Sequence, residues 1–199
     1  MTNLTKNSSH KSWLYRRQFW LLAALLLAVV LVLFLTFRPV GNEQLVQDDG
    51  EKKIYKAVVY DTKNWQVAGV AATDITSLKS YIGSTATQEE TLDFYGKPAS
   101  SFRYSAAHEP PLYVVESDGL LELVWYYAAA SDNEPTKSSS LNFAKRAYLM
   151  MSAADAKKGT NIVHQILQGV PMAEQTVGAF ELLNAQCQDY RCQIVLRQR

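Results

Sequence analysis

An uninterrupted apolar stretch near the N-terminus constrains this chain more than any other feature. Residues 19–37 read FWLLAALLLAVVLVLFLTF and contain no charged side chain. A helix rises about 1.5 Å per residue, so this stretch would nearly cover the roughly 30 Å of hydrocarbon in a bilayer. The stretch predicts a transmembrane helix, with the membrane as the first partner of the chain.

The residues around the apolar stretch set its predicted orientation. Trp13, Tyr15 and Trp20 stand where an aromatic belt would meet the lipid headgroups. Arg16 and Arg17 mark the cytoplasmic end, because positive charge stays on the cytoplasmic side. We therefore expect a short cytoplasmic tail at 1–18, and the rest of the chain on the far side of the membrane.

A cleaved signal peptide is the main alternative for this region. Its apolar part normally spans about 7–15 residues and ends in a site of the small-x-small type. Here the stretch is longer and is followed by Arg38-Pro39, with no such site. A buried core helix would need a polar stripe, which the stretch lacks. The sequence predicts an uncleaved signal-anchor.

Charge is distributed unevenly along the chain. Residues 1–38 hold five Lys and Arg and no acid, whereas the later part has 15 basic residues against 19 acidic ones, a net charge of −4. An acidic domain lacks the clustered cations that hold a phosphate backbone, so nucleic acid is excluded as a partner. The region at 38–53 is polar and predicts a linker, and 54–199 is long enough for one domain with its own core.

Strand and helix patterns alternate in blocks along this domain. We expect strands at 54–60 and 65–71, followed by helices at 74–82 and 87–95. The second of these helices rests on Thr87-Gln88-Glu89-Glu90, which has the spacing of a capping box. Further helices are expected at 140–153 and from Asp155 to Gly169, and strands near 178–186 and 192–198.

The clearest local pattern is LYVVESDGLLELVWYYA at 112–128. Asp118-Gly119 suits a type I′ turn, which places Ser117 opposite Leu120. Strand alternation then puts five apolar side chains on the expected core face: Leu112, Val114, Leu121, Leu123 and Trp125. The opposite face is mixed and predicts an interaction surface for another protein, formed by Tyr113, Val115 and Tyr126. An ordinary solvated or helix-covered face is the alternative.

These blocks predict an α+β fold class: an N-terminal transmembrane helix followed by one exported domain with an antiparallel sheet of hairpins and a helical hairpin. The two cysteines, Cys187 and Cys192, stand on either side of a short loop between strand-like segments. An oxidising compartment would join them in a disulfide. A redox pair normally has C-x-x-C spacing, and a zinc site would need two more ligands.

No motif for catalysis, cofactor binding or metal binding stands out, and none of these sites is expected. His108 lies in a Pro-bounded loop and is predicted to be exposed on the surface. His164 lies beside the apolar stripe of a helix and is predicted to be partly buried. GKPASS at 96–101 lacks the earlier glycine of a phosphate loop, and Pro98 stands where Ser or Thr should follow.

The leading functional hypothesis is a non-enzymatic assembly or scaffold subunit of a bacterial cell-envelope complex, serving secretion, conjugation, pili or envelope biogenesis. The chain would lie in the inner membrane, with its C-terminal domain in the periplasm and other envelope proteins, or further copies of itself, as partners. A periplasmic sensor acting through a membrane partner is the second hypothesis, which a ligand pocket beside the Trp125 strand would favour. An envelope-polymer hydrolase is the third, and it would need a cleft joining His108 to two carboxylates.

Overall fold

The hairpin around Asp118-Gly119 is present in the computed structural model, which describes residues 55–199. Its strands are β3 (Leu112–Ser117) and β4 (Leu120–Tyr126), and Ser117 lies opposite Leu120, which confirms the predicted register. The turn type was predicted wrongly. Gly119 has a φ of 69°, whereas Asp118 does not have a positive φ. A type I′ turn needs positive φ at both positions, and a type II turn needs it only at the second.

Seven strands form one sheet, in the order β1-β2-β3-β4-β7-β6-β5, and every neighbouring pair is antiparallel. Two strands precede the central hairpin and three follow the helices. Their bounds are β1 Thr87–Leu92, β2 Pro98–Arg103, β5 Gln175–Val177, β6 Phe180–Gln188 and β7 Arg191–Gln198. The sheet therefore joins β4 to β7, two strands that lie far apart along the chain.

Three helices are described: α1 (Ile75–Ser80), α2 (Glu134–Ala154) and α3 (Lys158–Leu167). The Asp74 side chain caps α1 by accepting a hydrogen bond from the Ser77 amide at 2.8 Å. Asn133 caps α2 in the same way. These side chains satisfy amides that a helix start leaves without partners. The helices predicted at 74–82, at 140–153 and after Asp155 are confirmed, with α2 beginning earlier than expected.

The core lies between the helices and one face of the sheet. All five side chains predicted for the core face of the central hairpin are fully buried, which confirms that prediction. The helices contribute small and apolar side chains to the same layer, including Phe143, Ala144, Ala147, Met150, Ile162 and Ile166. Close packing of this kind makes the layer sensitive to any change of volume.

A glycine sets how closely α2 and α3 approach each other. A Cβ atom placed on Gly159 of α3 would lie 1.8 Å from the carbonyl oxygen of Met151 in α2. No side chain fits in that space. The short connection between the two helices thus depends on the missing side chain of Gly159.

The fold class expected from the sequence is wrong. The described residues form a single seven-stranded antiparallel sheet with few helices, and the membrane-spanning helix of the expected fold class is not among them. Among residues 55–199, no helix is both long and apolar enough to cross a membrane. The predicted tail, the helix at 19–37 and the linker at 38–53 lie outside the described residues.

Two local predictions were also wrong. The segments at 54–60 and 65–71 are not strands in the described part, where they contribute only an isolated bridge between Ala57 and Ala129. The first segment bonds to the backbone after β4, where the Val58 amide donates to the Ala128 carbonyl at 3.0 Å. The second segment bonds to α2, where the Ala68 amide donates to Ser152 Oγ at 2.8 Å.

The helix predicted at 87–95 is strand β1 followed by a tight turn. The capping-box spacing of Thr87 and Glu90 is real, but β1 gains a full ladder of backbone bonds by pairing with β2. Tertiary pairing outweighs local helix signals in a segment that carries no apolar stripe. Neither β1 nor β2 shows the apolar alternation of a half-buried strand, so sequence reasoning missed both.

Candidate functional site

The helices cover one face of the sheet, and the opposite face is called here the outer face. Strand register places Tyr113, Val115, Glu122, Val124 and Gln193 on it. Val115 and Val124 are buried, while Tyr113 and Gln193 are half-buried. The outer face therefore combines apolar floor positions with polar side chains around them.

The outer face contains a cavity of about 580 Å³. Its lining includes Thr87 and Glu89 on β1 as well as Arg191 and Gln193 on β7. Four strand spacings separate β1 from β7, which would be about 19 Å in a flat sheet. Since both strands line one cavity, the sheet must curve, with the outer face on its concave side.

Glu122 lies at the floor of this cavity with 6 % of its surface exposed. Its Oε1 atom accepts hydrogen bonds from Gln193 Nε2 at 2.6 Å and from Arg191 Nη2 at 3.2 Å. Burial of a carboxylate is unfavourable unless charge and hydrogen bonds compensate it. Both partners lie on β7, so the pairing of β4 with β7 builds the floor of the site.

Tyr113 stands beside this ion pair on β3 and is half-buried. Burial raises the pKa of the Tyr113 hydroxyl; the nearby Arg191 partly offsets that rise, and Glu122 adds to it. The phenol therefore stays protonated around neutral pH and can both donate and accept a hydrogen bond. It offers the cavity a neutral polar group against an apolar ring.

Arg103 lines the cavity from β2, but its guanidinium group is already occupied. It donates to the carbonyl oxygens of Ser105, Ala106 and Glu109 at 2.8–3.2 Å. These bonds hold the loop between β2 and β3 in place. Arg103 therefore supplies positive charge to the cavity but not a free hydrogen-bonding fork.

The turn between β1 and β2 closes one end of the cavity. Asp93 is buried, and its Oδ1 atom accepts bonds from the Tyr95 and Lys97 amides at 2.9 Å each. Next to it, Leu92, Phe94 and Tyr95 are exposed by 61 %, 44 % and 54 %. Large apolar side chains this exposed are typical of contact surfaces when they cluster.

Tyr126 lies on the outer face but away from the cavity. Its hydroxyl donates to Asp132 Oδ2 at 2.8 Å, and its ring stacks on Tyr190 with centroids 5.8 Å apart. Burial, followed by the hydrogen bond to Asp132, raises the pKa of the Tyr126 hydroxyl far above its usual value. Tyr55 joins this group, with its centroid 4.4 Å from that of Tyr190.

The predicted interaction surface is thus split in two by the structure. Tyr113 and Val115 line the cavity, whereas Tyr126 belongs to an aromatic group with Tyr55 and Tyr190. A contact between any of these residues and a partner stays a prediction. Sequence reasoning did not identify Arg191 and Glu89, whose place at the cavity depends on strand pairing that no local pattern shows.

The disulfide between Cys187 and Cys192 is confirmed, with the two Cα atoms 4.0 Å apart. The cysteines are opposite each other on β6 and β7. Asp189 and Tyr190 between the strands have φ values of 44° and 67°, which is the pattern of a two-residue type I′ turn. The disulfide therefore closes the hairpin that carries both Tyr190 and Arg191.

The two histidines of the domain stand apart from the cavity. His108 is exposed in the loop between β2 and β3. His164 is half-buried on α3, with its Nδ1 atom 3.0 Å from Thr62 Oγ1 and its Nε2 atom 3.0 Å from Gln168 Nε2. Within residues 55–199, no group of three or more His, Cys, Asp and Glu side chains is arranged to hold a metal ion.

Comparison with known proteins adds no assignment to this geometry. The chain matches no family model, no curated protein and no solved structure.

Proposed function

We propose that this protein is a non-enzymatic assembly or scaffold subunit of a bacterial cell-envelope complex, and that its folded domain binds a partner protein on the outer face. One observation carries the proposal: within residues 55–199 the helices pack on one face of the sheet only, and the other face is concave, with a cavity and exposed apolar side chains at its rim. A surface of this kind suits a protein contact better than bulk solvent.

The side chains on the outer face support a specific protein contact rather than nonspecific hydrophobic association. Tyrosines and arginines are the side chains that most often carry binding energy at interfaces, and Tyr113 and Arg191 stand together there. Leu92 and Phe94 at the rim of the cavity, together with the neighbouring exposed Tyr95, would be buried by a partner. Glu122 is already paired, so a partner would not meet an unpaired buried charge at the floor.

The location remains part of the proposal. We infer an inner-membrane protein whose C-terminal domain faces the periplasm, an oxidising compartment in which a disulfide such as Cys187–Cys192 persists. A phosphatase reporter fused after Arg199 should be active in intact bacteria, and one fused after Lys11 should be inactive. The opposite pattern would refute this orientation.

A photo-crosslinking residue placed in the full-length chain tests the contact. At Tyr113 it should give discrete adducts of higher mass in intact cells, because that position lines the cavity. The matched control is Asn142, an exposed position on α2 at the opposite side of the domain, where adducts should be absent. Equal adducts at both positions, or no adducts at Tyr113, would contradict the proposed protein contact on the outer face.

The cavity itself favours a second candidate function, a periplasmic sensor that binds a small molecule. Its 580 Å³ lie within the range of small-ligand pockets, and it borders β4, the strand of Trp125. A screen of small polar metabolites by thermal shift would separate the two functions. A ligand that stabilises the wild type but not a Tyr113→Ala variant would favour the sensor over the scaffold.

A further inference from the structure

Strand β1 forms one edge of the sheet and leaves half of its backbone groups unpaired. Asp93 at its end pairs inward, because its amide donates to the Lys97 carbonyl at 2.8 Å. Antiparallel alternation then turns the amide and carbonyl groups of Gln88, Glu90 and Leu92 to the open side. The described part of the chain places no strand there. Six residues of edge are available, five of them exposed.

The other edge of the sheet is protected, which makes the open edge of β1 distinctive. Strand β5 has only three residues. The Lys158 ammonium group donates to the Thr176 carbonyl at 3.2 Å and so occupies a backbone acceptor of that strand. Short edge strands and lysines are common means of preventing strand addition. β1 carries neither device.

The charge of β1 selects what could pair with it. Glu89 and Glu90 stand at its centre, β1 contains no basic residue, and within residues 55–199 neither carboxylate forms an ion pair. Arg103 is the cation closest in register, but its guanidinium group is held by the loop carbonyls. A second copy of β1 added about a two-fold axis at its centre would place Glu90 opposite Glu90 or Glu89 opposite Glu89, and like charges directly opposite are destabilising.

We propose that β1 binds an extended segment of a partner protein by strand addition, and that this segment carries two consecutive basic residues. In an antiparallel arrangement these residues would face Glu90 and Glu89, and an apolar residue two positions earlier would face Leu92. The basic residue opposite Glu89 would lie on the outer face, beside the cavity that Glu89 lines. Main-chain bonds supply affinity in this mode and side chains supply specificity.

This inference rests on the proposed protein-binding role and names the chemistry of the partner. It also explains why exposed glutamates stand on an open edge. Glu89 and Glu90 repel the β1 strand of a second copy of this chain, and they attract a strand that carries basic residues. The same two carboxylates serve both purposes because only the sign of the incoming charge differs.

The test uses the purified full-length chain and three capped synthetic peptides. The first, SVTKRTVS, matches the predicted pattern. The second, SVTEETVS, reverses its charge. The third has the sequence of the first but carries a methyl group on the backbone nitrogen of its lysine. This change removes one main-chain hydrogen-bond donor and leaves both side-chain charges. Fluorescence anisotropy should show binding of the first peptide only.

The variant Glu89→Gln/Glu90→Gln should weaken binding of the first peptide roughly tenfold, since two cross-strand ion pairs are lost. Both positions are exposed, so the variant should melt like the wild type. The matched control is Glu134→Gln/Glu174→Gln, which removes the same charge from exposed positions far from β1 and should leave binding unchanged.

Three results would overturn the inference: equal binding of the N-methylated peptide, equal weakening by the control variant, or no binding of the first peptide at millimolar concentration. The first two would show plain charge attraction without strand pairing. Adducts from Tyr113 in cells together with any of these results would leave the protein-binding role standing and refute the edge of β1 as its site. Binding of the first peptide without adducts from Tyr113 would support the edge of β1 as a binding site and refute the protein contact at the cavity.

Discussion

Asp93 and Ser117 lie on different hairpins, yet the Ser117 hydroxyl donates a hydrogen bond to Asp93 Oδ2 at 2.6 Å. The bond joins the turn after β1 to the end of β3. It holds the turn against the sheet at one end of the cavity, which Asp93 lines. The position of the β1 hairpin over the outer face therefore depends on a contact between residues that are 24 positions apart.

We expect Ser117→Ala to loosen the turn after β1 without unfolding the domain. The lost hydrogen bond to a carboxylate should lower the melting temperature by about 2–4 °C. Amide exchange should accelerate at residues 93–97 and stay unchanged in α2. A variant with equal exchange at that turn would show that the bond does not hold it.

The stability of the same turn should depend on pH. The hydrogen bond from Ser117, followed by that from the Lys97 amide, holds the pKa of Asp93 below its usual value of 3.8. A depressed pKa gives a stabilisation that is complete above pH 3.8 and is lost as the pH falls through the folded value. Asp93→Asn should therefore be less stable than the wild type at neutral pH, and the difference in melting temperature should shrink as the pH falls below about 4.

Gly159→Ala should destabilise the domain strongly, although alanine is normally favoured over glycine inside a helix. The added Cβ would collide with the Met151 carbonyl, so α2 and α3 would have to separate. We expect a loss of about 2–4 kcal/mol in chemical denaturation, as for other overpacked sites. Gly69→Ala is the control, since open space surrounds that glycine. Equal stability of the two variants would contradict the packing.

The ion pair at the cavity floor should respond unequally to removal of its two partners. Arg191→Met leaves Glu122 buried with only Gln193 as a partner, and we expect a loss of about 2 kcal/mol in the free energy of unfolding. Glu122→Gln leaves an arginine whose side chain is half-exposed and can be solvated, so the loss should stay near 1 kcal/mol or less. Urea titrations of both variants would check the order.

Replacing both cysteines by alanine should lower stability by about 2 kcal/mol, the chain-entropy value for a loop of about six residues. The fold should persist, because β6 and β7 pair along their whole length. Mass measurement after thiol trapping, with and without reductant, shows whether the bond exists in cells. Free thiols in protein taken from the periplasm would count against the proposed location.

Sequence reasoning succeeded where a signal lies within a few residues. The register of the hairpin at Asp118-Gly119, its core-facing side chains and the helices predicted at 140–153 and after Asp155 follow from the position of the turn, from strand alternation and from the helical apolar pattern. It failed at β1, where the spacing of Thr87 and Glu90 indicates a helix and no apolar alternation opposes that reading. An exposed edge strand buries too little apolar surface to leave a pattern.

The sequence by itself determined which face of each central strand is apolar, and it left Cys187 only one cysteine of the chain to pair with. Only the tertiary structure decided that β4 lies beside β7, which brings Glu122 to Arg191, 69 residues away. Local side-chain patterns act over one turn or one hairpin. The choice between distant strands rests instead on the packing of the complete core and on the entropy of closing long loops. The cavity and the open edge of β1 belong to this second category.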